Sequence, residues 1–376
     1  MKSSYAVIVR GKDGTLINRL NDFVSLKIID TLNGTGSWSI TSMTRAPCPF
    51  EAGTGIIVLR DNAYFYSGVL TEIQDEFDAH TRLYSWEARG KNDLEYLNRR
   101  ICYVDPATGQ TDEYAHYTDT DYLSEVVYTL INVNLGPSAL TARQEPIIGS
   151  CSGQNVGESM SVSLRFQNLF DTVVAIVKSQ VCNIRSVWDT STNKVSYEVF
   201  QGVDRTDQIV FTEQLSNIVS SEYLATAPEG NFILAGGTGE MTERTFATAQ
   251  NNDSISEWGR IEKFQDARNQ SNVGPYAEET LQDKSENVTG YSAIASDEEH
   301  TPQYMRDYRL GDYVGMKVHG TYVTAQVQQV EISVSDDMET ISPRCGTVAI
   351  GKFKSIFAQL SGLRQDVNEL LGTEVA

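Results

Sequence analysis

The sequence predicts a mainly β protein with α+β elements, and three observations carry that prediction. Short β-branched segments separated by Gly, Asn and Asp turns fill the first hundred residues and return after residue 300. Between them the apolar period lengthens to that of amphipathic helices. The C-terminal segment then carries apolar residues at alternating 3 and 4 spacing, the seam of a coiled-coil helix.

The N-terminal strands come first. Tyr5 to Arg10 meets a turn at Gly11-Lys12-Asp13-Gly14, and Thr15-Leu16-Ile17 follows. Phe23 to Thr31 is a second β-branched stretch, ended by Asn33-Gly34-Thr35-Gly36, where glycine supplies the backbone freedom of a tight connection. Trp38-Ser39-Ile40-Thr41 alternates, as a strand with one buried face does. Gly55 to Arg60 and Tyr64 to Leu70 flank Asp61-Asn62-Ala63 as a hairpin, and Arg82 to Arg89 closes the region. Short strands at this spacing predict a barrel or sandwich, not a parallel sheet.

The middle is mixed. Thr120 is the expected cap of a helix bearing Leu123, Val126, Val127, Leu130 and Ile131 on one face, stopped at Asn134-Leu135-Gly136-Pro137. A Gly/Ser-rich loop is expected from Gly149 to Ser163, then a helix from Asn168 or Leu169 to Lys178. Val181–Trp188 and Val195–Phe200 read as a hairpin across residues 189–194. Further strands are expected at Ile209–Thr212, Ile218–Leu224, Phe232–Ala235 and Thr242–Thr248. Residues 266–300 read as polar, with one imperfect helix and an acidic loop. Strands resume at Tyr313–Val318, Tyr322–Val334 and Ile341–Cys345.

Phe353, Ile356, Leu360, Leu363, Val367 and Leu370 form the 3-4 seam. They are the candidate oligomerisation residues. A helix this short is marginal alone, so it needs partner helices or, as the alternative, its own domain to dock on.

Composition narrows function. With 30 Lys+Arg against 50 Asp+Glu the formal charge is -20, the opposite of the cationic surface that binds nucleic acid. Either the acidic surface is merely solvated, or it lets polyanions pass without sticking. No apolar run approaches a membrane span, and Met1-Lys2-Ser3-Ser4-Tyr5 leads straight into a strand, so neither a membrane anchor nor a signal peptide is expected. Cys48, Cys102, Cys151, Cys182 and Cys345 are odd in number and scattered, which predicts free thiols.

Three near-motifs test for catalysis. Gly149-Ser150-Cys151-Ser152-Gly153 has the form of a nucleophile elbow, but loop-type residues follow where the elbow needs a helix. Gly346 to Phe353 nearly spells a phosphate-binding loop, yet Phe353 cannot offer the hydroxyl that holds magnesium, and Val348-Ala349-Ile350 are bulky. The acidic clusters at Asp75-Glu76-Asp78, Asp119/Asp121 and Asp297-Glu298-Glu299-His300 lack calcium-loop spacing. The expectation is a non-enzymatic protein with no catalytic residues, metal or cofactor.

Several segments, in order, resemble the tail-hub family of long-tailed phages, related to the baseplate hubs of contractile tails. Asn33-Gly34-Thr35-Gly36-Ser37-Trp38 resembles the family's N-G-x-G-S-W turn, and Gly55 to Asp61 followed by Ser67-Gly68 its G-I-x-V-x-R-D…S-G hairpin. Gly202-Val203-Asp204-Arg205-Thr206, Val210-Phe211-Thr212, Asn217 and Tyr223 resemble its central block. Leu310-Gly311-Asp312-Tyr313-Val314, Val330-Glu331-Ile332 and Gly346-Thr347 resemble its last strands.

The resemblance implies two tail-tube-like β-barrel domains, intervening small α/β segments and a C-terminal coiled-coil helix. The implied boundaries are 1–95 for the first barrel, 96–180 for the α/β segment, 181–350 for the second barrel with a polar insertion at 266–305, and 351–376 for the oligomerisation helix. It further implies a structural tail-tip (baseplate) hub subunit of the virion, assembled in the host cytoplasm. Three chains would form a ring that continues the tail tube and passes tape-measure protein and DNA during ejection. The implied partners are two further copies, the distal tail protein ring above, the tape-measure protein and other tail-tip or fibre proteins, with DNA only in transit. A trimer would carry roughly -60, three times the charge of one chain. Some hubs of the family carry a C-terminal peptidoglycan hydrolase. Here Ala376 follows shortly after the last seam residue, Leu370, so wall lysis is expected of another protein. The alternative function is a receptor- or glycan-binding baseplate component, and after it a cell-wall hydrolase.

Overall fold

A computed structural model describes residues 3–21, 23–109, 116–153, 155–270, 272–285, 288–335 and 338–347. The chain divides into two compact units, Met1–Ser220 with Ile294–Cys345, and Ser221–Ala293 with Gly346–Ala376.

The first unit begins with β1 (Tyr5–Arg10), β2 (Leu16–Leu20), β3 (Ser25–Thr31), β4 (Ser37–Thr44), β5 (Gly55–Arg60), β6 (Ala63–Asp78) and β7 (Leu83–Asn92). The β5–β6 turn is made by Asp61 and Asn62, both at positive φ (52° and 62°), the geometry whose twist matches a two-residue hairpin. Trp38 is 2% exposed and lies directly on Gly68 and Gly90. A Cβ on either glycine would stand 2.4–2.6 Å from the indole, so the tryptophan of β4 requires glycine on β6 and β7. Phe50 covers the other side of Trp38 and reaches Trp86, at ring separations of 6.0 and 5.9 Å.

An α/β layer follows: α1 (Glu95–Asn98), β8 (Tyr117–Tyr122), α2 (Leu123–Asn134), β9 (Ser159–Leu164), α3 (Leu169–Ser179), β10 (Asn183–Asp189) and β11 (Lys194–Phe200). The expected apolar face of α2 is buried throughout, with Leu123, Val126, Val127, Leu130 and Ile131 at 0% exposure. It packs with Leu169, Val173 and Val177 of α3 and with the β10–β11 hairpin. Asn168 caps α3 by accepting the Asp171 N–H at 3.2 Å. Thr120 does not cap α2. It sits in β8 opposite Ser161, within a ribbon that turns part of the expected Gly/Ser loop into β9, and α2 starts after Tyr122 without a side-chain cap.

After β12 (Val210–Thr212) comes β13 (Ile218–Thr226), and then the second unit's β14 (Phe232–Gly236), β15 (Phe246–Gln250), α4 (Asn252–Trp258), β16 (Glu262–Asp266), α5 (Val273–Lys284) and β17 (Val288–Ala295). Here β14 lies between antiparallel β15 and parallel β16. The α5 helix packs on one face over a small core of Ile233, Ala235, Ala249, Ala267 and Ala277. The stretch read as polar thus holds the expected helix, and also the strand β17.

The first unit closes with β18 (Tyr313–Val318), β19 (Thr321–Ser335) and β20 (Met338–Gly346). Its main sheet runs β20-β19-β3-β4-β7-β6-β5-β1-β2, with β18 beside β19 and β12 beside β18. Two closed tube-like barrels are therefore not what the described strands form. N-terminal and C-terminal strands share one sheet because β3 pairs with β19, setting Ile28 opposite Ile332. The sheet curls so that strands far apart in this order touch through side chains. Tyr5 of β1 donates its hydroxyl to Glu339 of β20, and Arg60 of β5 pairs with the same carboxylate at 2.9 Å.

Two of the family-like sequence blocks meet beside β18. Arg205 pairs with Asp312 at 2.8 Å, and Asp312 also accepts the Val203 and Arg309 amides, each at 3.0 Å. Gly202 comes so close to the Gly311 carbonyl that a Cβ would stand 1.9 Å from it.

The sheet and the α/β layer join around one buried ion pair. Arg10 and Asp93 are both at 0% exposure, and an Arg10 amino group donates to the Asp93 carboxylate. Arg10 also donates to the Gly68 carbonyl at 3.2 Å, while Ser67 donates to Asp93 at 2.6 Å. Tyr197 of β11 donates to the Asp93 carbonyl at 3.0 Å, and Trp188 of β10 lies 5.5 Å from the guanidinium. Desolvation acts to lower the Arg10 pKa, and the Asp93 carboxylate overrides it, so the guanidinium stays charged. Removing one partner leaves an uncompensated buried charge. Arg10→Ala or Asp93→Ala should therefore each cost about 3–5 kcal/mol in denaturant unfolding. The paired replacement Arg10→Met with Asp93→Leu should cost much less than the sum, and additivity of the two would disprove the coupling.

Candidate functional site

The strongest candidate is a surface, the face of the main sheet turned away from Trp38. Alternation builds it. On β4 the residues Trp38, Ile40 and Ser42 are buried, which leaves Ser39, Thr41 and Met43 on the other face. The register carries this parity sideways. Ser333, Lys27, Ser39, Arg89 and Glu72 lie in one row across β19, β3, β4, β7 and β6. Ser335, Ser25, Thr41, Glu87 and Gln74 form the next.

The rows are hydroxyls and charges, and the cations in them are tethered. Lys27 meets Glu331 at 2.7 Å. Arg89 is held bidentately by Glu87, with both bonds 2.8 Å, and lies 3.6 Å from Glu72. Glu76 continues the acidic side along β6, opposite Ser85. Ile29, Met43 and Leu83 are apolar members of the face. The result is a surface of small polar groups with surplus negative charge and no unpaired cation in the two rows.

The sequence candidates fall in different places. Phe353, Ile356, Leu360, Leu363, Val367 and Leu370 lie outside the described residues, as does most of the phosphate-loop look-alike. Cys151 is described, and its setting is that of a core residue. It is 4% exposed, its amide and carbonyl are both held by the Asn132 side chain at 2.9 Å, and it belongs to the α/β core. Burial pushes its thiol up to about 12, the reverse of what a nucleophile needs. Asp75, Glu76 and Asp78 lie on the exposed end of β6, and Asp119 and Asp121 on β8. Among the described residues no three His, Cys, Asp or Glu side chains gather as a metal site, and no helix is long and apolar enough to cross a membrane.

The polar face is not legible as a unit in sequence, because its rows run across five strands that only the register brings together. Its only signal was the Ser/Thr parity opposite buried Trp38 and Ile40. The thiols give a direct check on the packing around Cys151. Cys102, Cys151, Cys182 and Cys345 are buried and Cys48 is partly exposed. A disulfide-exchange reagent should modify Cys48 alone in the native protein and the other four only on unfolding. Fast reaction at Cys151 would contradict its place in the core.

Solved structures share this fold. The 43 kDa tail protein of prophage MuSo2 from Shewanella oneidensis superposes with a TM-score of 0.57 at 9% identity, covering 92% of this chain and 97% of that one. A tail protein from Neisseria meningitidis MC58 gives 0.52 at 11% identity, covering 91% and 96%. Prophage tail protein gp18 from Listeria monocytogenes EGD-e gives 0.51 at 12% identity, covering 96% and 99%. No curated protein sequence matches the chain. A family model does, over residues 6–347, nearly the whole length, and by it the chain belongs to the siphovirus ReqiPepy6 Gp37-like protein family.

Proposed function

We propose that this chain is a structural subunit of a phage tail tip, a baseplate hub of which three copies ring the axis of the tail tube. In this reading the polar face of β19, β3, β4, β7 and β6 looks into the lumen. The observation that carries it is the tethering of Lys27 and Arg89 by Glu331, Glu87 and Glu72. A wall crossed by DNA must not offer free cations, because each phosphate that replaces counterions on a lysine or arginine adds to adhesion. The chain's charge of -20 adds long-range repulsion of the same sign. The seam from Phe353 to Leu370 supplies the contact for three copies, with the distal tail protein ring and the tape-measure protein as neighbours. Catalysis has no part in this reading.

Charge reversal on the face is the test. Glu72→Lys, Glu87→Lys and Glu331→Lys together free the two tethered cations and add three more. The variant should gain DNA binding that weakens steeply with salt, and particles assembled with it should eject DNA more slowly than wild type. Unchanged ejection from fully assembled particles would remove the face from the lumen.

Oligomeric state is tested separately. Light scattering of the full chain, alone and with its ring partner, should give a trimer. Leu360→Asp with Leu363→Asp should weaken the trimer while the β-rich circular dichroism spectrum persists. Monomer under every condition would exclude the ring.

A further inference from the structure

Inside the first unit a cavity of about 380 Å³ opens between the curled sheet and the β10–β11 hairpin. Its lining includes Asp30, Tyr64, Tyr66, Asn92, Tyr304 and Arg309. Asp30 occupies an inward position of β3, in the same parity as buried Leu26 and Ile28. It forms no ion pair among the described residues. Burial pushes its carboxyl above the ordinary range, against hydrogen bonds from Asn92 and the Thr31 amide and the charge of Arg185. Arg185 lines the cavity too, but it is committed to Glu198 at 2.7 Å and stacks on Phe200 at 4.6 Å.

Tyr66 is the second observation. It is 5% exposed and lines the cavity, and its hydroxyl has no hydrogen-bond partner. A buried unpaired hydroxyl is costly, so its lone pairs and its proton are open to a ligand. Desolvation raises the pKa of Tyr66 and Tyr304, and in both the Asp30 carboxylate is the next cause. Both tyrosines line the same cavity as Asp30, so the carboxylate and the two rings border one space.

We propose that this cavity binds an organic cation, an ammonium or guanidinium group. Its N–H donors would go to the Asp30 carboxylate and the Tyr66 oxygen, and its charge would lie among the tyrosine rings. A carboxylate within aromatic walls suits such a group better than a neutral sugar, because the rings attract positive charge as the carboxylate does. The volume is that of about thirteen waters in the liquid, far more than a bare metal ion fills. Two sources offer this chemistry, a free polyamine and a lysine or arginine side chain of a neighbouring protein. Arg309 is the internal competitor, since it lines the same cavity. The proposal does not depend on the tail-tip reading.

Calorimetric titration of the full chain tests it, with 1,4-diaminobutane, a blocked lysine amide and a blocked arginine amide as probes, and potassium chloride and glucose as controls. At least one amine or guanidinium probe should bind saturably and the controls should not. Asp30→Asn should weaken binding by about tenfold or more, the worth of a charge-assisted hydrogen bond in a dry site. That variant removes a buried charge, so its thermal midpoint should not fall. Tyr66→Phe should also fold, since it deletes only an unpaired hydroxyl, and should weaken binding. Arg309→Ala should tighten it. Stronger binding of the diamine supports a free polyamine, and stronger binding of a blocked side chain supports a protein partner. Absence of saturable binding by all three probes, equal binding by Asp30→Asn, or matching binding by glucose would overturn the proposal.

Discussion

A charged guanidinium sealed inside a β-rich core sets the terms for everything around it. Arg10 cannot be left without acceptors, because an unpaired buried charge costs several kcal/mol even after relaxation. Its acceptors come from several strands: the Ile56 carbonyl of β5, the Gly68 carbonyl of β6 and the Asp93 carboxylate after β7. Ser67 and Tyr197 then hold Asp93 from the sheet and from the α/β layer. An apolar core could be as stable, but it would tolerate sliding of one layer on the other. The ion pair tolerates much less, since a shift strands a carboxylate or an N–H. One amino group of Arg10 is already without a partner, so the network has no slack.

The sequence makes the local half of this fold legible and hides the rest. Strand β1, the Asp61-Asn62 turn, helix α3 with its Asn168 cap, and the β10–β11 hairpin could all be read from period and turn chemistry, because each is specified by neighbours in the chain. The ribbon of β8 and β9 could not. In β9 serines alternate with Met160, Val162 and Leu164, which pack half-buried against the α/β core, but the strand lies in a Gly/Ser-rich stretch that reads as loop. Strand β16 escaped for a different reason, being exposed along most of its length. The two-barrel expectation failed at a different level. Pairing of Ile28 with Ile332 is a contact across the chain that no window of sequence contains. Arg205 and Asp312 show the intermediate case. Both sit in blocks recognisable as words, and only the fold shows that one block's arginine is held by the other's aspartate.

The polar face poses the question of why a sheet would spend ordered side chains on ion pairs that contribute little stability. Lys27 and Glu331 are 46% and 45% exposed, and pairs so exposed are worth a fraction of a kcal/mol. What the pairs do change is the local field. A lysine held 2.7 Å from a carboxylate presents no net charge to a passing polyanion, whereas a free lysine does. Small hydroxyls at Ser25, Ser39 and Thr41 complete the rows, beside a shallow concavity lined by Lys27, Ile29, Ser39, Glu72 and Arg89. The residues of this face had to be found by parity, because no motif encodes it.

Asp93, fully buried, and Asp30, partly buried in the cavity wall, make an instructive pair of carboxylates. Both contribute to raising the Tyr64 and Tyr66 hydroxyls after desolvation. Desolvation penalises each of them as an anion. For Asp93 the compensating cation is internal, fixed on β1 and roofed by Trp188. For Asp30 the fold provides Asn92, one residue before Asp93, a backbone amide and the charge of Arg185, which is committed to Glu198, but no ion pair among the described residues. Asn92 is itself tied to the Gly34 carbonyl at 2.9 Å, so it cannot move to serve Asp30 further. An aspartate on the inward parity of a β-strand with no ion pair among the described residues is a local conflict in an otherwise consistent sheet. Such conflicts are where a fold gives up stability for a ligand, and here the missing partner has a definite sign of charge.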